Sequence, residues 1–371
     1  MSIDPAVQVH ERKSGEVTEL YITARPQVSA DAQSQAATLL DSVADVLRSH
    51  GAHILQERIF ADPAAMETLS KTRAKSFADF ANGIDPTWLA VPPNSVGPVS
   101  GVQVHALAGC GRPEVLSLAG KPSGRRVSLG SWSYLIGCNL QSDDSQPPAG
   151  QARAMFGKAE ALLSEAGGTL ANISRTWMWL GNILDWYDDF NRVRNELFKA
   201  RGLLREGGAG TLPASTGIGI GPWGQRCCTM DFCAVLGDQK PQFLLAGGNQ
   251  DAASKYNSAF SRAAVSATPA GKTVYVSGTA AIDSAGQTTH IGDVLGQIED
   301  TVANVNAVLR NASCGPDDVV SAVAYCKTPQ VERTFRNGWG SLLRGPYVVA
   351  LADVCRDNLL FEIEATAIAK A

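Results

Sequence analysis

The sequence predicts an α+β fold made of three consecutive units that each run β-α-β-α-β. Apolar strands alternate along the chain with amphipathic helices, and 371 residues exceed the usual size of one domain. The order of elements in the last third of the chain also recurs in the middle third. Because such recurrence indicates repeated structural units, we divide the chain into residues 1–117, 118–248 and 249–371.

The last unit shows the pattern most clearly. Its long helix carries apolar side chains at i, i+3 and i+4 spacing, which is typical of a helix that packs one face on a sheet. The predicted elements are a strand at 271–282, this helix at 291–313, a strand at 317–327, a short helix at 331–343 and a closing strand from Pro346.

The middle unit repeats this order. Its junction between helix and strand reads SEAGGTLANISRTWMWL. Apolar, polar and glycine-rich positions follow there in the same order as in RNASCGPDDVVSAVAYC of the last unit. The predicted elements are a strand at 124–137, a helix at 152–167, a strand at 171–181, a helix at 186–202, and a segment at 212–221 that leads into the strand CCTMDFCAVL.

The first unit fits the same order more faintly. A proline cluster precedes its closing strand, and any α+β protein offers such patterns, so a chance match stays open for this unit alone. The predicted elements are strands at 17–25, 52–62 and 101–109, with helices at 32–51 and 66–77.

Composition narrows the class of protein and of partner. The chain has 32 basic and 36 acidic residues, a net charge of -4 and no basic run, so nucleic acid and anionic membranes are not expected partners. A polar N-terminus and the lack of a long apolar run predict a soluble, cytoplasmic protein. No metal-ligand spacing or dinucleotide fingerprint occurs, so we expect neither a metal nor a cofactor. Scattered cysteines without paired spacing predict reduced thiols at Cys110, Cys138, Cys227, Cys228, Cys233, Cys314, Cys326 and Cys355.

The end of the chain, residues 348–367, predicts a catalytic acid. Two apolar strands flank a short Arg-Asp-Asn turn, and Glu362 and Glu364 share one side of the second strand. A carboxylate in such a run either meets a partner or has a raised pKa, and a raised pKa gives a general acid that is protonated at pH 7. We assign that role to Glu362. Exposure at the end of the strand is an alternative for Glu364.

Two segments of the middle unit supply candidate binding residues. Arg194 lies on the helix at 186–202, where the alternative is an ordinary solvated helix with ion pairs. The segment PASTGIGIG, which contains Ser215, Thr216 and Gly217, can bring backbone amides close to an anion. A turn that enters a strand gives the same pattern, so this alternative stays open.

Side chains at the strand ends of the last unit complete the set. Tyr325 ends its central strand, and Cys355 and Arg356 stand at the closing turn. A nucleophilic cysteine needs a nearby base. None of the five histidines occurs in a motif that pairs with Cys355, so we expect Cys355 to be structural.

The last unit resembles the Rid (YjgF-like) family. The similar segments are VYVSG, DDVVSAVAYCK and LLFEIEATAIA. Members of that family are small α+β proteins that form homotrimers with clefts between subunits. Over its whole length the chain is similar to the chorismatases, on the segments WYDDFNRVRNELF, LPASTGIG and ADVCRDNLLFEIE. The resemblance therefore implies tandem Rid/YjgF-like (chorismate-mutase-like) units that form an intramolecular pseudo-trimer.

One departure separates the two families. Rid deaminases carry an arginine shortly after the proline of the closing strand, whereas here Pro346 is followed by Tyr347, Val348 and Val349. Deamination of an enamine or imine is therefore not supported. Arg194 takes a position where Rid proteins commonly have an asparagine that faces the cleft, and a cationic cleft suits a dianionic substrate.

The resemblance implies an enzyme that cleaves the enolpyruvyl ether of chorismate and releases pyruvate. Glu362 would protonate the methylene carbon, and the resulting oxocarbenium ion would be captured by water or by the hydroxyl of the ring. The products would be a dihydroxycyclohexadiene carboxylate or a hydroxybenzoate, with 3-hydroxybenzoate favoured. This chemistry requires no metal, redox cofactor or covalent nucleophile.

Small residues that line the pocket are expected to govern the choice of product. The candidates are Ala280, Leu351 and Asp353, and we expect Leu351, Asp353 and Cys355 to share one strand face. A non-catalytic Rid-type binding protein is the alternative from another class. Three units in one chain predict a monomer, with a homotrimer as the alternative.

Overall fold

Three six-stranded sheets form the protein, and five strands of each follow the same order. The computed structural model describes residues 7–27, 30–80, 82–205, 210–248, 250–253, 258–340 and 343–369. Residue 249, where the third unit was expected to begin, and residues 341–342 of the predicted short helix lie outside them. Over the described residues, the α+β class and the threefold repetition are confirmed.

The first sheet has the strand order β1-β2-β5-β3-β4, with a short strand of the second unit added at its edge. Helix α1 packs on it and is capped at both ends: the side chain of Asp31 accepts the Ser34 N–H, and Gly51 adopts the left-handed conformation. The elements are β1 Val7–Ser14, β2 Val17–Ala24, α1 Ala32–His50, β3 His53–Ala61, α2 Met66–Ser76, β4 Thr87–Ala90 and β5 Val99–Ala108.

The second sheet has the order β10-β9-β12-β8-β7-β6. The strand predicted at 124–137 is a hairpin instead, because Gly130 takes a positive φ of 66° and turns the chain between β7 and β8. The elements are β6 Glu114–Leu118, β7 Lys121–Leu129, β8 Trp132–Leu140, α3 Pro148–Glu165, β9 Ile173–Leu180, α4 Ile183–Ala200, β10 Ala214–Ile218, β11 Gly221–Pro222 and β12 Cys228–Gly237.

The third sheet has the order β13-β14-β15-β18-β16-β17. Helix α6 is followed by a π-helical turn at Phe335–Trp339. The elements are β13 Gln242–Leu244, β14 Ala263–Thr268, β15 Gly271–Ala280, α5 Val294–Asn311, β16 Val319–Cys326, α6 Pro329–Thr334, β17 Tyr347–Leu351 and β18 Phe361–Ile368.

An edge strand lies at or near each predicted unit boundary. Strand β6 belongs to the second sheet but spans the division between residues 117 and 118. Strand β13 precedes residue 249 and pairs with β14 of the third sheet. The second and third sheets therefore each extend a few residues into the segment that we assigned to the unit before it.

The helices cover the outer faces of the sheets, and the inner faces meet at the centre of the molecule. One buried apolar cluster contains side chains of all three sheets, including Phe60, Trp179 and Tyr325. Polar groups also cross this centre, since the hydroxyls of Tyr134 and Tyr275 lie 2.9 Å apart. No helix among the described residues is both long and apolar enough to cross a membrane.

Candidate active site

Glu362 lies on β18 and faces the boundary between the second and third units. Its side chain is buried, and burial raises its pKa to about 8, with a further contribution from the negative charge of Glu364. The positive charges of Arg175 and Arg262 oppose that rise. At neutral pH this carboxyl group is therefore mostly protonated and can donate a proton.

Glu364 shares the strand face of Glu362 but has a different environment. Its Oε1 lies 3.1 Å from Nη1 of Arg58, and its Oε2 lies 2.9 Å from Nη2 of Arg175. The two arginines come from the first and second units, so this carboxylate joins all three units. Exposure of Glu364 at the strand end, the alternative that the sequence left open, is wrong.

A cavity of about 50 Å³ lies beside Glu362 between the second and third units. We call it the acid cleft. On one side β10 runs past β15, where the Ser215 N–H donates to the Ser277 hydroxyl at 2.7 Å. Its lining includes six of the predicted site residues, namely Arg194, Ser215, Gly217, Cys355, Arg356 and Glu362. It also includes Ala280, one of the small residues proposed to govern product choice.

Arg194 is buried in the wall of the acid cleft. Only 2% of the residue is exposed, and its Nη2 donates to Oδ1 of Asn191 at 2.6 Å. Arg192, two residues earlier on α4, is exposed and pairs with Asp189 at 2.6 Å. The solvated-helix alternative therefore holds for Arg192 and is wrong for Arg194.

Arg262 is a second buried arginine in this wall, and the sequence analysis missed it. Its Nε and Nη2 donate to the main-chain oxygen of Asp251 at 3.1 and 2.9 Å. The guanidinium groups of Arg194 and Arg262 lie 5.8 and 5.4 Å from the ring centroid of Phe260. The acid cleft thus combines two buried cations with one protonated carboxyl group. A single arginine before an apolar strand gives no sequence signal for this role.

The segment around Ser215 supports the cleft in a different way from the one predicted. Because the Ser215 N–H is bonded to Ser277, it is not directed to a ligand. The Thr216 hydroxyl does not line the cavity; it accepts the Gly278 N–H at 3.0 Å and an Arg175 N–H at 2.5 Å. Thr216 therefore fixes the position of β15, and only Ser215 and Gly217 of this segment reach the cleft.

Three other predicted site residues lie outside the cavity lining. Tyr325 of β16 pairs with Glu362 of β18 in the third sheet. It is buried, and its hydroxyl has no hydrogen-bond partner among the described residues. Leu351 packs in the helix-side core of the third unit. Asp353 accepts the Gly219 N–H on its main-chain oxygen at 2.8 Å. Because β17 ends at Leu351, strand alternation does not extend to Asp353 and Cys355, and the shared face that we expected is absent.

Cys355 and Arg356 close one end of the acid cleft. Burial raises the pKa of the Cys355 thiol to about 12, and the charge of Glu362 contributes, so no thiolate forms at neutral pH. Arg356 donates to the main-chain oxygen of Gly286 at 2.6 Å. Neither residue is therefore placed as a nucleophile. Within the described residues, no group of three or more His, Cys, Asp or Glu side chains could hold a metal ion.

The three sheets offer three equivalent clefts, and they differ at the position of Glu362. In each sheet one antiparallel pair of strands is equivalent: β3 with β5, β9 with β12, and β16 with β18. The pairing skips one residue at the same place in each, next to Gln56, Arg175 and Ser321. Counting from that irregularity, the equivalent pairs are Phe60 with Gly101, Trp179 with Thr229, and Tyr325 with Glu362. Only one of these equivalent positions carries an acid.

Comparison with solved structures gives a match over the whole chain. The crystal structure of a chorismatase covers 98% of this chain and is itself covered to 98%, with 18% identity and a TM-score of 0.59. The chain has the fold of a chorismatase. A family model described as Endoribonuclease L-PSP matches residues 251–369, which agrees with the Rid-like character predicted for the last unit of this chorismatase fold.

Smaller proteins match about a third of this chain. Yeast Mmf1 is 20% identical, covers 35% of this chain over 100% of its own length, and has a TM-score of 0.29. A member of the YjgF family from Neisseria meningitidis is 14% identical, covers 36% of this chain over 97% of its own length, and has a TM-score of 0.28. No curated protein is similar to the sequence.

Proposed function

We propose that the protein is a chorismatase, which cleaves the enolpyruvyl ether of chorismate and releases pyruvate. The observation that carries this proposal is that the buried carboxyl group of Glu362, whose pKa is raised, lines the same cavity as the buried guanidinium groups of Arg194 and Arg262. Chorismate carries two carboxylates and an acid-labile enol ether, so it requires both features. The similarity of fold to a chorismatase over 98% of the chain supports the same function.

Arg194 and Arg262 are proposed to hold the two carboxylates of the substrate. Charge-assisted hydrogen bonds are the strong ones, and a guanidinium group binds a carboxylate through two parallel N–H donors. Both side chains are already held in place, by Asn191 and by the main chain at Asp251. Binding therefore costs little further ordering of these side chains.

Glu362 is proposed as the general acid. Its proton would pass to the methylene carbon of the enolpyruvyl group, forming a C–H bond and an oxocarbenium ion. Arg175 and Arg262, whose charges favour the ionised form of Glu362, stabilise the carboxylate that this step leaves. The oxygen of the ring hydroxyl then bonds to the ring carbon that carries the ether, that carbon's bond to the ether oxygen breaks, and its electron pair completes the keto group of pyruvate. The proton released by the hydroxyl returns to the carboxylate of Glu362, and the chain itself forms no covalent bond to the substrate.

The favoured second product is 3-hydroxybenzoate. Its formation with pyruvate requires no added water, whereas the dihydroxycyclohexadiene carboxylate requires one. Cys355, Ala280 and Ile282 give the lining around Glu362 an apolar part. A substrate that fills this cavity leaves little space for an attacking water, which favours participation by the hydroxyl of the ring.

The acid cleft must widen when the substrate enters. Its volume of about 50 Å³ is far below the roughly 300 to 1,000 Å³ of typical ligand pockets. Arg356 is part of the lining and contacts Gly286 in the segment between β15 and α5. We infer that displacement of this contact accompanies binding.

A non-catalytic Rid-type binding protein is the competing proposal. It requires cationic binding residues but gives no reason for a protonated carboxyl group beside them. A Rid-like deaminase is disfavoured by the residues after Pro346, which include no arginine up to Asp353.

The test is incubation of the purified protein with chorismate, followed by chromatography of the products and a pyruvate assay. We expect one pyruvate for each chorismate consumed, with 3-hydroxybenzoate as the second product. Glu362→Gln is the control for contaminating activity. No turnover by the parent, together with measurable binding of chorismate, would establish the non-catalytic alternative.

A further inference from the structure

The boundary between the first and second units forms a cleft equivalent to the acid cleft. The acid cleft lies between β10 and the end of β15, and this second cleft lies between the entry to β4 and the end of β8. We call it the cationic cleft. It has a volume of about 450 Å³, within the usual range for small ligands. Polar side chains in its lining include Lys121, Ser123, Asn139, Gln141, Lys158 and Arg226.

Positive charge exceeds negative charge in the cationic cleft. Lys158 Nζ lies 2.6 Å from Oδ1 of Asp143, and this contact, with the charges of Lys121 and Arg226, lowers the pKa of Asp143. The lining therefore has three cations and two carboxylates, Asp143 and Asp85. Arg226 is held by main-chain oxygens, including that of Ser142 at 2.8 Å, and has no carboxylate partner among the described residues.

The other charges around the cationic cleft do not cancel this excess. Asp85 adds one negative charge to the lining, and Arg73 does not neutralise it because Arg73 pairs with Glu57 at 2.6 Å. Arg125 is buried and contacts the lining residue Cys138, with Nη1 3.6 Å from Sγ. Its Nη2 donates to Oδ1 of Asn82 at 2.7 Å. The described residues give Arg125 no ion pair, so it adds a further positive charge.

The remaining cleft, between the third and first units, shows how such a space can be lost. At Gly101, a Cβ atom would lie 2.7 Å from Cγ2 of Val348, because Val348 occupies the space. Above it the Ser95 hydroxyl donates to Glu332 at 2.7 Å, and Glu332 pairs with Arg336 at 2.7 Å. Val348 has no such counterpart in the lining of the cationic cleft, and Thr229, which is buried outside that lining, holds the sheet position equivalent to Glu362.

We propose that the cationic cleft binds a small anion with carboxylate or phosphate groups and carries out no chemistry on it. The excess of positive charge, the volume and the equivalence to the acid cleft support binding. The threonine in place of Glu362 removes the proton donor. The proposal does not depend on the function of the acid cleft.

Equilibrium dialysis at low ionic strength tests this, with 3-hydroxybenzoate and inorganic phosphate as separate probes. The variant Lys121→Ala/Lys158→Ala removes two cations of the cleft. The matched control is Lys13→Ala/Lys71→Ala, which removes two exposed cations that do not line it. Lys121→Glu reverses the charge of an exposed residue without breaking an ion pair, and it serves if the double variant misfolds. Arg194→Ala removes binding in the acid cleft.

The parent, the matched control and Arg194→Ala should each bind at least one probe. The cationic-cleft variants should bind the same probe with an affinity lower by about tenfold or more. Binding of phosphate alone, or of 3-hydroxybenzoate alone, would identify which anion the cleft accepts. Turnover of chorismate should be the same in Lys121→Ala/Lys158→Ala as in the parent. Equal binding of both probes by the parent and the cationic-cleft variants, or loss of all binding in Arg194→Ala, overturns the proposal.

Discussion

Gly278 of β15 makes room for the carboxyl group of Glu362 on β18. A Cβ atom at position 278 would lie 2.2 Å from Oε1 of Glu362 and 3.1 Å from Cγ2 of Thr216. Both contacts are too short, and Thr216 is itself held by Arg175. The absence of a side chain at Gly278 therefore sets where the acid can lie.

Gly278→Ala should displace the carboxyl group and lower kcat by about a hundredfold, since a shift of about 1 Å in a catalytic group has effects of that size. Overpacking should lower the free energy of unfolding by about 1 to 3 kcal/mol, so the protein still folds. Gly157→Ala is the control, because a Cβ at that helical position meets nothing within 4 Å. Steady-state kinetics and thermal melting of both variants measure this. Normal turnover by Gly278→Ala would show that Glu362 has freedom to move.

Glu362→Gln retains the shape of the side chain and removes the acidic proton. Turnover of chorismate should fall by about a hundredfold or more. Because the glutamine is neutral in a site that disfavours charge, its melting temperature should not fall at neutral pH. If this variant turns over chorismate nearly as the parent does, Glu362 is not the acid.

The raised pKa of Glu362 predicts how activity and stability depend on pH. Only the protonated form donates, so kcat/KM should fall above about pH 8. Folding raises this pKa from its ordinary value of 4.5, so between these values the folded state holds a proton that the unfolded chain has released. The contribution of Glu362 to stability is thus present below about pH 4.5 and is lost as the pH rises towards 8.

Denaturant unfolding of the parent and of Glu362→Gln across this pH range isolates that contribution. The difference between the two free energies of unfolding should change by up to about 1.4 kcal/mol per pH unit, with the parent losing stability relative to the variant as the pH rises. A constant difference would mean that the carboxyl group titrates at its ordinary pKa.

Arg194→Lys and Arg262→Lys test the binding of the two carboxylates. Lysine retains the charge but loses the planar pair of donors, so kcat/KM should fall by about ten- to a hundredfold in each. Arg192→Lys is the control on the same helix, because Arg192 is exposed and surface pairs contribute only about 0 to 1 kcal/mol. Unchanged kinetics in both cleft variants would place the carboxylates elsewhere.

The sequence was sufficient to predict the helices and the longer strands that bury an apolar face. All six helices and the strands between them occur, including those of the faint first unit. The edge strands β1, β6 and β13 were missed, because they are half exposed and lack a clear apolar periodicity. Strands β4 and β14 were missed as well, because they have only four and six residues. The hairpin of β7 and β8 was read as one strand, since only Gly130 and Ser131 separate the two strands.

The site was only partly predictable, for a physical reason. Burial of Glu362 follows from its apolar neighbours in the same strand, which the sequence shows. The place of Arg262 depends on Phe260 and on a main-chain oxygen of Asp251, and these contacts exist only after folding. Leu351 and Asp353 were misplaced because the end of β17 could not be located from periodicity alone.

A last prediction concerns the size of the particle in solution. Glu364 binds arginines of the other two units within one chain, so the central contacts that a trimer of single units would need are already made. Faces that would otherwise drive association are thereby buried. Light scattering should give a mass near 39.1 kDa, at concentrations well above those of the kinetic assays. A stable mass three times larger would show that the units also associate between chains. The mass of Arg58→Ala, which lacks one central contact, would then be compared with that of the parent.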